Sequence, residues 1–162
     1  MAATSKKALR HEPTIENRRA RHDYFIEDTL EVGLKLTGTE IKSIRLGQAS
    51  IAEGYVRATE SPVALTLHGA HIAEYPPAGA ARQHDPVRVR TLLAHSREIL
   101  KLADRTRQKG TTLVPLKIYF LRGRAKLLIG IAKGKQQHDK RQDLIKKEAK
   151  REMDRAMSRG KR

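Results

Sequence analysis

Cysteine and tryptophan are both absent from this chain of 162 residues. The first absence excludes disulfides, cysteine-based zinc sites and a thiol nucleophile. Long apolar runs are missing too. A stretch such as Leu127 to Ala132 is far too short to span a bilayer, and no indole is available to anchor an amphipathic face at an interface. Residues Met1 to Arg10 carry charge but no apolar core of the kind a secretory signal needs. A cytoplasmic protein with no membrane partner is expected. Acidic residues are also scarce, 18 against 34 Lys and Arg, which leaves a formal charge of +16 and a pI near 10.5. A polyanionic partner is the simplest explanation, and with membranes set aside that partner is nucleic acid.

The charge is unevenly distributed along what is about one domain's length of chain. Residues 1–22 hold six basic and two acidic side chains, and residues 133–162 hold twelve and five. Residues 23–132 carry sixteen basic and eleven acidic groups together with nearly all the large apolar residues. The expected organisation is a basic N-terminal arm and RNA-contact segment (1–22), a folded middle (23–132) and a basic C-terminal tail (133–162). Low hydrophobicity with high net charge leaves little apolar surface to offset the entropy of ordering, so both arms are expected to be largely disordered when free. In the tail, Ile145, Ala149, Met153, Ala156 and Met157 recur at spacings of three and four. That places them on one narrow helical stripe, expected to form only against a partner.

The middle reads mainly as strands. From Tyr24 to Leu36 the even positions are largely apolar and the odd ones mostly polar or Gly, which predicts a long half-buried strand. Thr37 and Glu40 then have the spacing of a capping box, with Thr37 at the N-cap, and predict a short helix that stops at Gly47. Ile51 to Thr59 and Val63 to His68 read as strands around Glu60-Ser61-Pro62. Ala70 to Tyr75 can add another before Pro76-Pro77, and Tyr75 to Asp85 reads as a loop. Ser96 can cap a helix containing Ile99, Leu100, Leu102 and Ala103, terminated by Gly110. Thr112 to Leu121 and Arg124 to Ala132 form a predicted hairpin across Arg122-Gly123, with Val114, Leu116, Ile118 and Phe120 facing inward beside Leu127, Ile129 and Ile131. Five or six strands and two or three short helices predict a mainly β fold, a small antiparallel OB-like barrel.

Catalytic signals are weak throughout. Gly130, Gly134 and Lys135 resemble a phosphate-binding loop, yet three residues separate the glycines where that motif has four, and Gln136 stands where it has Ser or Thr. His68 and His71 have no third ligand at a recognisable spacing. Asp139 and Asp143 are four apart but ringed by Lys140, Arg141, Lys146 and Lys147, which suits ion pairing better than acid–base work. A protein without enzymatic activity, metal, cofactor or small-molecule substrate is expected.

Aromatic residues are only 4% of the chain: Tyr24, Phe25, Tyr55, Tyr75, Tyr119 and Phe120. Several are needed for a core, so recognition of RNA shape and phosphate is expected over extensive base stacking. Asn17-Arg18-Arg19-Ala20-Arg21-His22 concentrates donors just before the first long strand and is the leading contact segment.

Five stretches in order resemble one family, over Ile15 to Arg162. They are Asn17-Arg18-Arg19-Ala20, the run Glu31-Val32-Gly33-Leu34-Lys35-Leu36-Thr37-Gly38-Thr39-Glu40-Ile41-Lys42-Ser43-Ile44-Arg45, Arg88-Val89-Arg90-Thr91-Leu92-Leu93, Val114-Pro115-Leu116-Lys117-Ile118-Tyr119-Phe120, and Ala132-Lys133-Gly134-Lys135-Gln136-Gln137-His138-Asp139-Lys140-Arg141. Together they resemble the SsrA-binding (small protein B) proteins. The resemblance implies an OB-like barrel that binds the tRNA-like domain of transfer-messenger RNA (tmRNA, the SsrA RNA). It also implies delivery to stalled ribosomes for trans-translation rescue. The tail would be disordered when free and helical on the ribosome, where it occupies the vacant mRNA channel and decoding region, with ribosomal RNA as a further partner. Asn17, Glu31 and Leu93 match family positions tied to tmRNA binding, and Gly134, Lys135, His138, Asp139, Lys140 and Arg141 match the tail motif. Gln136, Val32 and Thr91 depart from the family's usual Lys, Ala and Lys.

With the basic residues of these stretches added, the candidate tmRNA contacts are Asn17, Arg18, Arg19, Arg21, His22, Glu31, Lys42, Arg45, Arg88, Arg90 and Leu93. The candidate ribosome contacts of the tail are Gly134, Lys135, His138, Asp139, Lys140, Arg141, Ile145, Lys146, Lys147 and Met153. A ribosomal or ribosome-assembly protein that binds ribosomal RNA is the alternative reading, and a nuclease would require a carboxylate cluster.

Overall fold

The period-two stretch that opens at Tyr24 folds as a strand to Leu34, after which Thr37 turns the chain into a helix, as its spacing with Glu40 predicts. The computed structural model describes residues 12–159. In chain order it contains β1 (Ile15–Glu16), α1 (Arg18–Asp23), β2 (Tyr24–Leu34), α2 (Gly38–Arg45), β3 (Ala49–Ser50), β4 (Tyr55–Glu60), β5 (Val63–His68) and β6 (His71–Ile72). Then come two 3-10 turns (Pro76–Ala78 and Ala80–Arg82), β7 (Arg90–Leu93), α3 (Ser96–Arg107), β8 (Thr111–Leu121), β9 (Arg124–Gly134) and α4 (Gln137–Arg159).

Six strands close on themselves in the order β2, β7, β5, β4, β8, β9 and back to β2, every pair antiparallel. Closure leaves no free edge within the ring, which removes the template for strand addition that an open sheet presents. The expected mainly β antiparallel barrel is thus the observed architecture. Its interior is filled by Val32, Val56, Leu65, Leu67, Leu92, Leu113, Ile118, Leu127, Ile129 and Ile131, with Ile44 from α2 and Ile99 and Leu102 from α3. The hairpin of β8 and β9 turns at Arg122 and Gly123, both at positive φ, which fixes Leu121 opposite Arg124.

A bulge changes the expected inward set on β8. Its register shifts between Pro115 and Lys117, so Leu113 and Ile118 face the main core while Val114 and Leu116 face a second, smaller one with Ala20 and Ala132. Proline has no N–H to give a ladder, and an extra residue beside it re-aims the side chains that follow. β2 is bulged as well, between Ile26 and Asp28, and Ile26, Tyr24 and Leu128 pack on the second core. Gly130 fills a packing role there: a Cβ would lie 3.1 Å from Leu116 Cδ1 and 3.2 Å from Ile26 Cγ2.

The second core corrects the reading of residues 1–22 as an arm outside the fold. β1 pairs with β8, and α1 buries Ala20. One small apolar residue was enough because the bulged strands supply the rest of the cover. Residues 1–11 lie outside the described residues.

Elsewhere the differences are local. Arg90–Leu93 is a strand that four residues of mixed polarity did not announce, and Ala70–Tyr75 contributes only the two residues of β6, paired with β3 in a small separate sheet. His95, one residue before Ser96, is the N-cap of α3. β9 runs two residues past Ala132 to Gly134. The tail is a single helix from Gln137 to Arg159, the conformation expected of it against a partner. Its 23 residues exceed the length at which isolated helices become viable, and Lys, Arg, Glu, Gln and Ala dominate it, all strong helix formers. Its apolar stripe remains uncovered, with Ile145 66% exposed and Met153 and Met157 similarly so.

Candidate nucleic-acid interface

Directly opposed residues in antiparallel strands share a face of the sheet. The register therefore lays Leu93 of β7, Gly33 of β2, Lys126 of β9 and Tyr119 of β8 in one row across the outside of the barrel. Glu31 stands two residues along β2 from Gly33, on the same face. Its carboxylate accepts a hydrogen bond from the Tyr119 hydroxyl and lies 3.2 Å from Lys126 Nζ. The hydroxyl of Tyr119 and the ammonium of Lys126 hold the Glu31 carboxyl below its ordinary range, with Lys117 adding to the effect. Burial and the Glu31 carboxylate push the Tyr119 phenol up to about 12. Glu31 is thus ionised, fixed in direction and open to solvent, an acceptor for base or ribose donors.

Leu93 lies beside it and is 57% exposed. Gly33 makes that position possible, since a Cβ there would come within 3.1 Å of Leu93 Cβ. A shallow groove runs past Glu31, Leu93, His95 and Lys126, and a second continues from Leu93 past Ile41 to Gly123 and Arg124 at the hairpin tip. Two of the predicted contacts, Glu31 and Leu93, are therefore brought together. Tyr119, Lys126 and Arg124 join them unpredicted. The two-residue hairpin turn was the signal available for the first two: counting outward from Leu121 opposite Arg124 places Tyr119 opposite Lys126.

Several predicted contacts prove to hold the fold together. Asn17 is buried at the N-cap of α1: its Nδ2 donates to the carbonyls of Ile51 (3.1 Å) and Pro115 (3.0 Å), and its Oδ1 accepts from the Ala20 N–H. With those three bonds made inside the protein, Asn17 fixes the start of the basic helix. Arg90 is fully buried and corrects its placement among the contacts: it donates to Glu40 and to the carbonyls of Ala70, Arg88 and Pro86. Arg88 grips the same carboxylate with two donors, at 2.8 and 2.5 Å. The apolar neighbours of Glu40 were legible in sequence, but not that its carboxylate would be enclosed by two guanidiniums. Burial alone would raise the Glu40 pKa; Arg88, the Thr37 backbone N–H and Arg90 outweigh it and hold the group at about 2.

The other predicted cations divide among surfaces. Arg18, Arg19, Arg21 and His22 are exposed on α1, where Arg19 pairs with Glu53 and His22 lies 3.0 Å from Asp23. On α2, Lys42 sits over the Tyr75 ring, while Arg45 covers Phe120 and lies 3.3 Å from Glu12. Lys135 was assigned to the tail, but its Nζ donates to the Arg21 carbonyl and packs over Phe25, which fastens it to the barrel at the foot of α4. Gly134 ends β9, and Asp139 accepts from the Gln136 N–H at the start of α4. Arg141, Ile145, Lys146 and Met153 are exposed along that helix. His138, Lys140 and Lys147 lie within α4, and their side chains fall outside what the structure describes.

A family model described as SmpB protein matches residues 14–159. The chain belongs to the SmpB family. A SsrA-binding protein of Thermobifida fusca (strain YX) is 54% identical over 144 residues, covering 89% of this chain and 88% of that relative. One from Staphylococcus carnosus (strain TM300) is 50% identical over 154 residues, covering 94% and 97%. A solved structure described as "tmRNA-SmpB: a journey to the center of the bacterial ribosome" aligns with a TM-score of 0.64 at 47% identity, over 77% of this chain and 86% of that one. The SmpB match begins just before β1, in keeping with the place of β1 and α1 inside the fold.

Proposed function

We propose that this chain binds the tRNA-like domain of tmRNA and delivers it to stalled ribosomes for trans-translation. The observation that carries this reading is the solvent-open Glu31 carboxylate, fixed by Tyr119 and Lys126 beside exposed Leu93, in a chain at 54% identity to a SsrA-binding protein. The row of residues around Glu31 recognises the RNA, and the cations of α1 supply phosphate contacts. α4 is the ribosome-directed part: its charge follows ribosomal RNA in the vacant mRNA channel and decoding region, and its uncovered stripe supplies an apolar contact. An mRNA in the channel fills the space the basic helix would take and excludes it sterically, so channel occupancy distinguishes stalled from active ribosomes.

The protein works by binding and catalyses no step itself, and its place of action is the cytoplasm. Among the described residues no helix is long and apolar enough to cross a membrane. The deciding experiment is identification of the RNA that co-purifies with the tagged protein. Enrichment of tmRNA over ribosomal RNA is expected; a uniform mixture of ribosomal RNAs with no tmRNA enrichment overturns the assignment.

A further inference from the structure

Of the six aromatic rings, four are covered by a cation of the chain itself: Phe25 by Lys135, Tyr75 by Lys42, Tyr119 by Lys117 and Phe120 by Arg45. Tyr24 is half-buried against the second core. Tyr55 differs from all of these. It is 51% exposed, and its partner is the His68 ring directly across the β4–β5 ladder, 5.0 Å away between centroids and 9° from parallel. His68 is itself fixed, with Nε2 2.9 Å from Thr66 Oγ1. Arg57 lies two residues along β4 on the same exposed face, and no carboxylate pairs with it among the described residues.

A flat ring backed by a second, anchored ring is a preorganised surface for a third. In a chain of +16 the planar group that also brings negative charge is a nucleotide. We propose that Tyr55, backed by His68, stacks an unpaired RNA base, with Arg57 on the same face for a flanking phosphate. The cleft beside Tyr55, lined by Arg19, Glu53, Tyr24 and Thr112, is the entry path. This proposal rests on the RNA-binding reading above but concerns a separate surface. Val56 pairs with Leu113 near the start of β8, whereas the hairpin tip of the Glu31 groove begins at Leu121, about 25 Å further along that strand.

The absence of tryptophan makes the test direct, because Tyr55→Trp installs the only indole in the full-length chain. A single-stranded oligoadenylate is expected to quench its emission by stacking, while an RNA duplex with the same number of phosphates binds and leaves it bright. Equal quenching by both, or binding of the oligoadenylate without quenching, overturns the platform. Tyr55→Ala should weaken oligoadenylate binding about tenfold, and Tyr55→Phe should keep it. An Ala variant as tight as the parent, or a Phe variant as weak as the Ala one, also overturns it. Titrating the Tyr55→Trp chain with intact tmRNA and with small ribosomal subunits identifies the source of the base. Quenching by neither removes the platform from rescue while leaving the Glu31 reading, scored by tmRNA retention, untouched.

Discussion

Glu31 and Glu40 show how one residue type serves opposite ends within a single basic protein. Glu31 is held in the open by a phenol and an ammonium, so its neighbours contribute direction. Tyr119→Phe should therefore weaken tmRNA binding in the same sense as Glu31→Ala, but less, and spare an unrelated structured RNA. Gel-shift titrations with both RNAs check this, and equal losses on both would reassign Glu31 to the fold. Glu40 is enclosed, and so is its partner Arg90, while Arg88 reaches it from the surface. Its carboxyl titrates at about 2 in the fold against 4.5 unfolded, so the unfolded chain takes up a proton first as pH falls. The stability it contributes, roughly 3 kcal/mol, is complete above pH about 4.5 and lost progressively toward pH 2. Thermal unfolding followed from pH 7 to pH 2 should show that decline. Glu40→Gln should flatten the profile and cost about 3–5 kcal/mol at neutral pH by leaving Arg90 buried without its counter-charge. Asn17→Ala should lower stability by about 1–3 kcal/mol, because two buried carbonyls lose their donor; a variant as stable as the parent but defective in RNA binding would show that Asn17 acts on the RNA and not on the fold.

At the scale of elements, Lys135 fastens the foot of α4 to the barrel through the Arg21 carbonyl and the Phe25 ring, while the apolar stripe faces solvent. A chain ending at Gln136 keeps that anchor and should retain tmRNA affinity while failing to support tagging of stalled peptides. Ile145→Pro in the full chain should produce the same split, since proline inside a helix costs about 3 kcal/mol. Full tagging by the shortened chain, in a reconstituted translation assay, would rule out the division of labour. The elements legible in sequence were those whose signal is local. The β2 alternation, the Thr37–Glu40 cap and the Arg122-Gly123 turn each lie within a few residues, and each appears close to where its spacing places it. What escaped depends on distant partners. β1 and α1 are held by β8 about a hundred residues away, as Asn17 donating to Pro115 illustrates, and no arm of six cations announces a single buried alanine. The Glu31 site divides in the same way. Its Tyr119–Lys126 half follows from the hairpin turn, but the union with Glu31 and Leu93 requires the β2–β9 and β2–β7 registers, which no local pattern encodes.

For the whole molecule, a net charge of +16 builds in long-range attraction to RNA before any specific contact forms. Binding of tmRNA should weaken linearly on logarithmic axes as salt rises, with a slope of about 0.7 to 0.9 per phosphate neutralised. Titration across a salt series gives that slope, and an affinity indifferent to salt would contradict an electrostatic interface. The ring closure has a consequence in time. β2 is made early, but both strands that complete its outer face come late: Tyr119 lies on β8 and Lys126 on β9, nearly a hundred residues downstream. Pairings of such long range form slowly and only after both partners exist. A copy of this chain whose synthesis stops before β9 has Glu31 but neither a closed barrel nor the ammonium that orients the carboxylate. Unfinished copies of the protein are therefore built without the oriented Glu31 site and lack what distinguishes tmRNA from other RNA.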